Sequence, residues 1–200
     1  MVVVKPLHLV EDRLDPRSGR LLVAAPMLVD PHFVRTIVLL LDVDDDGVLG
    51  VVLNRPSDVD VDGVLSSWAD LVRDPAVVFV GGPVGNDSAL AVGRLADGIV
   101  ASGPHVGWRP LFDGTGLVDL DIPSGDLVPA VDAMRIYAGY AGWSPGQLAE
   151  EIAEGAWYVV EGRPTDLFAA DPAALWHQVL ARQRGPLAWL ATYPDDPTSN

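Results

Sequence analysis

The chain has 200 residues, 49% of them hydrophobic, enough for one domain with a real core and without need of a second. Its 28 acidic against 13 basic residues give a net charge of -15, a surface that repels phosphates and disfavours direct nucleic-acid binding. The absence of cysteine excludes disulfides, thiolate nucleophiles and cysteine-ligated metals.

The N-terminal MVVVKPLHLVEDRLD lacks a basic stretch followed by an apolar core of about 7–15 residues, and no apolar run of about 18 residues occurs anywhere. This reads as a cytoplasmic protein with no membrane span. Residues 1–16 read as an arm, 17–193 as the domain, and the polar 194–200 as a disordered tail. Residues 20–25 (RLLVAA) form a strand stopped by Pro26. The uninterrupted apolar run 36–41 (TIVLLL) predicts a strand buried on both faces. The acidic turn 42–47 ends in Asp-Gly, a hairpin signal leading into 48–53 (VLGVVL), which Asn54-Arg55-Pro56 terminates.

Val61, Val64, Leu65, Trp68 and Leu71 recur at helical spacing, so a helix is predicted over 62–71, followed by a buried strand over 77–80 that ends at Gly81-Gly82-Pro83. Residues 89–95 and 99–101 read as strands paired across Asp97-Gly98. The segment 103–116 reads as a glycine- and proline-rich loop carrying His105, Trp108 and Arg109. A short strand follows over 117–120, and Ser124-Gly125-Asp126 caps a helix running toward Met134.

The run 135–157 (RIYAGYAGWSPGQLAEEIAEGAW) organises the rest. A strand turns through glycines into a helix with Ser144 as N-cap, Pro145 at the first position and Gln147 completing a capping box. Leu148 and Ile152 share its buried face, and Gly155 stops it before a strand over 156–160. Asp171-Pro172 opens a last helix with Leu175, Trp176, Val179 and Leu180 as its buried stripe, ended by Gly185-Pro186. The whole reads as α+β, one domain with a curved, mixed or largely antiparallel sheet flanked by helices.

Three motifs carry possible chemistry. Gly142-Trp143-Ser144-Pro145-Gly146 fits the G-x-S-x-G elbow, and Ser144, Asp166 or Asp171, and His177 follow in triad order. However, Pro145 has no N–H to give an oxyanion, so Ser144 reads as a cap and no catalytic residue is assigned. Asp42, Asp44, Asp46 and Gly47 match half of an EF-hand loop, but Leu53 stands where its bidentate Glu belongs, which leaves an acidic turn and no assigned metal. Gly81-Gly82 could cradle a phosphate but lacks the following Lys-Ser/Thr, and reads as a tight turn.

Asn54 and Arg55 could hold a carboxylate or phosphate, or bond neighbouring carbonyls. His8, His32, His105 and His177 show no metal-ligand spacing, and the six tryptophans read as core and interface anchors. No cofactor is implied.

A set of ordered motifs runs from about residue 19 to 189. It comprises Leu21-Leu22 with Ala25-Pro26 and Asp30, Phe33-Val34-Arg35-Thr36, Gly50 with Asn54-Arg55-Pro56, and Gly81-Gly82-Pro83-Val84. It continues with Gly139-Tyr140-Ala141-Gly142-Trp143, then Gly146-Gln147-Leu148, Glu151 and Trp157. In these the chain resembles the AlgH/YqgE family of bacterial proteins. The resemblance implies a curved, partly barrel-like sheet in one α+β domain, no assigned reaction, and a transcription-regulatory role suggested for some members. Relatives often carry His where this chain has Gly93, and Gly where it has Ser144.

Two functional expectations follow. The first is a non-enzymatic binding or regulatory module acting on a basic protein partner or a small ligand, with an indirect effect on gene expression. The alternative is a small-ligand sensor or enzyme with a pocket formed by the Asn54-Arg55, Gly81-Gly82 and Gly139–Trp143 loops. The candidate ligand-binding residues are Arg35, Asn54, Arg55, Gly81, Gly82, Tyr140, Trp143 and Gln147. The oligomeric state is not legible in the sequence.

Overall fold

The continuously apolar Ile37–Leu41 segment enters a strand whose alternate residues serve two cores: Ile37, Leu39 and Leu41 face one, Val38 and Leu40 the other. The computed structural model describes residues 14–101, 105–127 and 130–193. Most of the expected arm and all of the expected tail lie outside these. The strands are β1 (Arg20–Ala24), β2 (Ile37–Asp44), β3 (Gly47–Val52), β4 (Pro56–Asp60), β5 (Val77–Val80), β6 (Val84–Leu95), β7 (Trp108–Pro110), β8 (Thr115–Val118), β9 (Val131–Trp143) and β10 (Trp157–Glu161). The helices are α1 (Val61–Leu65), α2 (Gln147–Glu154), α3 (Pro164–Leu167), α4 (Leu175–Ala181) and α5 (Pro186–Trp189).

The sheet runs β10-β1-β2-β3-β9-β6-β8-β7, with β5 joining β9 as its one parallel pair among the described residues and β4 lying outside β5. It curls into a half-barrel. Phe112, just past β7, lies against the backbone of Gly19 and Gly162 at the other end of the sheet. The inner face packs on Leu175, Trp176, Val179 and Leu180 of α4, the stripe expected from the sequence. The outer face of β1 to β3 is covered by Leu148 of α2 with Trp143 and Trp157. A third cluster joins Val61 and Trp68 to β6, β8 and β9. The architecture is thus α+β, mixed but largely antiparallel.

Several local expectations are corrected. Helix α2 starts at Gln147, with left-handed Gly146 before it. The Ser144 side chain makes no cap bond, and only Gln147 reaches back, its Oε1 accepting from the Ser144 N–H at 3.0 Å. Residues 99–101 form no strand; β6 pairs with β8 and β9 instead. Inside 103–116, the supposed loop, lie β7 and the start of β8, while residues 102–104 lie outside the description. The helix toward Met134 shrinks to a 3-10 turn over Ser124–Asp126, because β9 claims the chain from Val131. The 62–71 helix splits into α1 and a 3-10 segment, Ser66–Leu71. Gly185-Pro186 begins α5 after α4 has ended at Ala181.

One buried pair sits oddly in this core. Arg135 and Tyr137, two apart on β9, are both fully buried beside Phe79, whose ring lies 4.3 Å from the Arg135 guanidinium. Arg135 donates to the Asp74 and Ala169 carbonyls at 3.0 and 3.4 Å. The Tyr137 hydroxyl has no hydrogen-bond partner among the described residues, and burial pushes its pKa well above the usual tyrosine value. Tyr137→Phe is therefore expected to match or exceed the wild-type stability at neutral pH in urea denaturation. A phenol with a raised folded pKa contributes stability below the unfolded pKa of about 10 and loses it as pH rises beyond, so the Phe variant should also hold its stability further into alkali.

Candidate functional site

The geometry of the site begins with a bulge in β9. Tyr137 and Tyr140 are three residues apart yet pack against the same inner cluster, which a regular strand with its two-residue period forbids. The extra residue is accommodated at Gly139, with φ of 70°, where the β6 register also jumps between the Val84–Tyr140 and Ala89–Ala138 pairs. Beyond the bulge Tyr140 faces inward, while Ala141 and Trp143 turn to the outer core. Gly81-Gly82 presses on the same point: a Cβ on Gly81 would meet the Gly139 carbonyl oxygen at 2.3 Å, and one on Gly82 the Tyr140 carbonyl at 2.2 Å. The Gly81 N–H is spent on the Ala138 carbonyl, and its own carbonyl accepts from Val52 N–H, both at 2.8 Å. These glycines fix the backbone crossing that sets Tyr140 in place.

The end of β9 pairs with β3, Leu49 opposite Gly142, and β3 with β2, Asp42 opposite Leu49. This row places a glycine between large neighbours and opens a cleft of about 560 Å³. Asp42, Asp44 and Asp46 supply carboxylates, Tyr140 an aromatic face and Gly142 the gap, while Trp143 borders the cleft with its ring buried in the outer core. Asp44 Oδ1 accepts from the N–H groups of Asp46 and Gly47 at 2.9 and 3.1 Å, which holds the hairpin tip in an Asx turn. Among the described residues no group of three or more His, Asp or Glu is placed to hold a metal ion, so these carboxylates rim the cleft without converging on one point.

At the rim, Arg109 of β7 donates to Asp42 Oδ2 at 3.3 Å, both side chains about half exposed. Arg109 also lines a second cleft, of about 310 Å³, with His105, Leu117 and Asp119. The Asp42–Arg109 pair thus links a residue of each cleft.

The eight candidate ligand residues fall into three places. Tyr140 and Trp143 line the acidic cleft. Gln147 stands behind it: its Nε2 donates to Glu151 Oε1 at 2.9 Å, while Glu151 Oε2 accepts from the indole N–H groups of Trp143 at 2.9 Å and Trp157 at 2.8 Å. Gly81 and Gly82 hold the crossing described above. Arg35, Asn54 and Arg55 line neither cleft and tie down the loop before β2. Asn54 accepts from the Ile37 N–H at 3.0 Å and donates to the Arg35 carbonyl at 2.8 Å, and Arg55 donates to the Val34 carbonyl at 3.0 Å. The Arg35 guanidinium lies 4.2 Å from the Trp176 ring. The Gly93 position is closed to a side chain here, since a Cβ on it would meet Val118 at 2.9 Å and Val131 at 3.1 Å.

The residues that sequence reasoning passed over as site members include Asp42, Asp44, Asp46, Val84 and Pro145, while Gly142 lies in the Gly139–Trp143 loop of the expected alternative pocket. The acidic run was visible as a half EF-hand, but only the β2-β3-β9 register shows what it faces.

Fold and cleft together define an α+β half-barrel domain with an acidic, aromatic-walled cleft at one end of its sheet. The AlgH-like (DUF179) family pattern matches residues 21–188, and the chain belongs to that family. It is 57% identical to a UPF0301 protein of Streptomyces coelicolor over 92% of this chain and 95% of that one, and 49% identical to a UPF0301 protein of Thermobifida fusca over 94% and 98%. Its structure resembles the crystal structure of a Corynebacterium diphtheriae protein with a TM-score of 0.85 and 34% identity, covering 91% of this chain and 95% of that one. The AlgH protein of Pseudomonas aeruginosa, at a TM-score of 0.60 and 23% identity over 98% of this chain and all of that one, shares the fold. No helix among the described residues is long and apolar enough to cross a membrane.

Proposed function

We propose that the chain is a non-enzymatic binding module that seats an arginine or lysine side chain of a basic, cytoplasmic protein partner in the acidic cleft. The observation that carries this reading is the composition of that cleft: three aspartates around the Tyr140 ring and a glycine gap, with a guanidinium already held at its rim by Asp42. Carboxylates supply charge pairing and the half-buried Tyr140 ring offers a face to a cation. A net charge of -15 steers basic partners inward and repels nucleic acid, so any effect on gene expression runs through the partner.

Gly142→Leu tests the reading. The glycine is not left-handed, and an added Cβ meets nothing nearer than Tyr140 at 3.5 Å, so the variant is expected to fold, as circular dichroism checks, with its side chain in the gap. Titration of the wild-type protein with the peptide Ac-Gly-Arg-Arg-Gly-NH2 is expected to change tryptophan fluorescence, with affinity falling tenfold or more in Gly142→Leu. Equal binding by the two proteins would contradict the reading.

A further inference from the structure

Arg109 reaches the acidic cleft from the far end of the sheet. It sits on β7, the last strand in the sheet order, which is three residues long and pairs with β8 alone among the strands. Its contact with Asp42 is a single hydrogen bond at 3.3 Å between half-exposed side chains. Arg20 and Glu161 also share a single contact, at 2.9 Å, but two other ion pairs here are built differently. Arg94 grips both oxygens of Asp132 at 3.0 and 2.9 Å, and Arg182 grips both oxygens of the buried Asp166, which also caps α3 through the Arg163 N–H. Bidentate pairs hold fixed geometry; a lone, exposed, monodentate one contributes little and exchanges readily.

Asp42 lines the first cleft and Arg109 the second, so their bond ties the two rims together. A ligand cation seated against Tyr140 would seek the same carboxylate that Arg109 occupies. Resting on the binding reading above, we propose that Arg109 is an internal competitor for the acidic cleft: it neutralises Asp42 in the free protein and yields that carboxylate when a partner's arginine enters. The displaced guanidinium then faces the second cleft, beside His105. In this way the fold carries its own stand-in for the partner's side chain, which keeps the cleft from holding every passing cation.

The test follows the Arg109 Nε–H signal of isotope-labelled full-length protein during titration with Ac-Gly-Arg-Arg-Gly-NH2. The account expects that signal to shift with the same midpoint as the Gly142 amide, and expects Arg109→Gln to bind the peptide about two- to fivefold more tightly. Removing a positive charge also raises attraction at a distance, so the Arg109 signal itself decides. If the Gly142 amide responds and Arg109 Nε–H does not, the competitor role is wrong and the binding reading stands. If neither responds, both fall.

Discussion

Gly82→Ala is expected to prevent the chain from folding, with a cost above about 4 kcal/mol and the protein recovered as aggregate. A Cβ at this position would stand 2.2 Å from both the carbonyl carbon and the carbonyl oxygen of Tyr140, and 2.4 Å from Ala141 N. These are backbone atoms of β9, the strand that carries contacts to β3, β5 and β6, so no side-chain movement relieves the clash. Gly146→Ala provides the control. That residue is also left-handed, at φ of 80°, but a Cβ there meets nothing within 4 Å, and the strain alone costs about 1–2 kcal/mol. Urea denaturation of the two variants beside wild type checks the contrast. A Gly82→Ala protein as stable as Gly146→Ala would mean that the crossing of the glycine pair over β9 is wrong.

Glu151→Ala is the second large effect, expected at roughly 2–5 kcal/mol. Glu151 is the single acceptor for two buried indoles: Trp143 and Trp157, 5% and 2% exposed, both donate to its Oε2. Truncation strands both N–H groups in a cluster where the Trp143, Trp157 and Phe33 rings pack within about 6 Å of one another. Gln147 loses a partner at the same stroke. Glu151→Gln keeps one carbonyl oxygen for the indoles and should lose about half as much. Because Trp143 also lines the acidic cleft, the Ala variant should show altered tryptophan emission before any denaturant is added.

This clasp gives a physical account of a motif that was legible as a family mark and not as a device. Trp143, Gln147, Glu151 and Trp157 look like scattered signature residues in the sequence. In three dimensions they are one hydrogen-bonded unit fastening α2 to the sheet.

The fold was readable where burial is uniform. β2 needs apolar residues on both faces, so its run announces it, and the four-residue spacing of Leu175, Val179 and Trp176, Leu180 announces α4 just as plainly. It was not readable where pairing alone makes the strand. The first half of β6 carries Gly85-Asn86-Asp87-Ser88, and β7 and β8 are short and contain proline or glycine; they are strands because β6 finds β9 far along the chain, β8 pairs back onto β6, and β7 folds onto β8.

The site divides in the same way. Tyr140 and Trp143 could be singled out as large residues among glycines, and Asn54 and Arg55 could equally be read as ligand groups or as loop ties. The bonds from Asn54 to the Ile37 and Arg35 backbone match the second of these readings. That the acidic hairpin tip faces Tyr140 across Gly142 depends on the β2-β3-β9 register and on one bulge at Gly139, which no local pattern encodes.

The central claim is that the acidic cleft is where this protein meets a cationic group. The most direct measurement is a two-dimensional amide NMR titration of the full-length protein with Ac-Gly-Arg-Arg-Gly-NH2. Its control is the same peptide with both arginines replaced by norleucine. The account predicts saturable shifts concentrated at residues 42–49, Val84 and 140–144 with the arginine peptide, and none with the control. Shifts spread evenly over the many surface carboxylates, or centred away from Gly142, would contradict it.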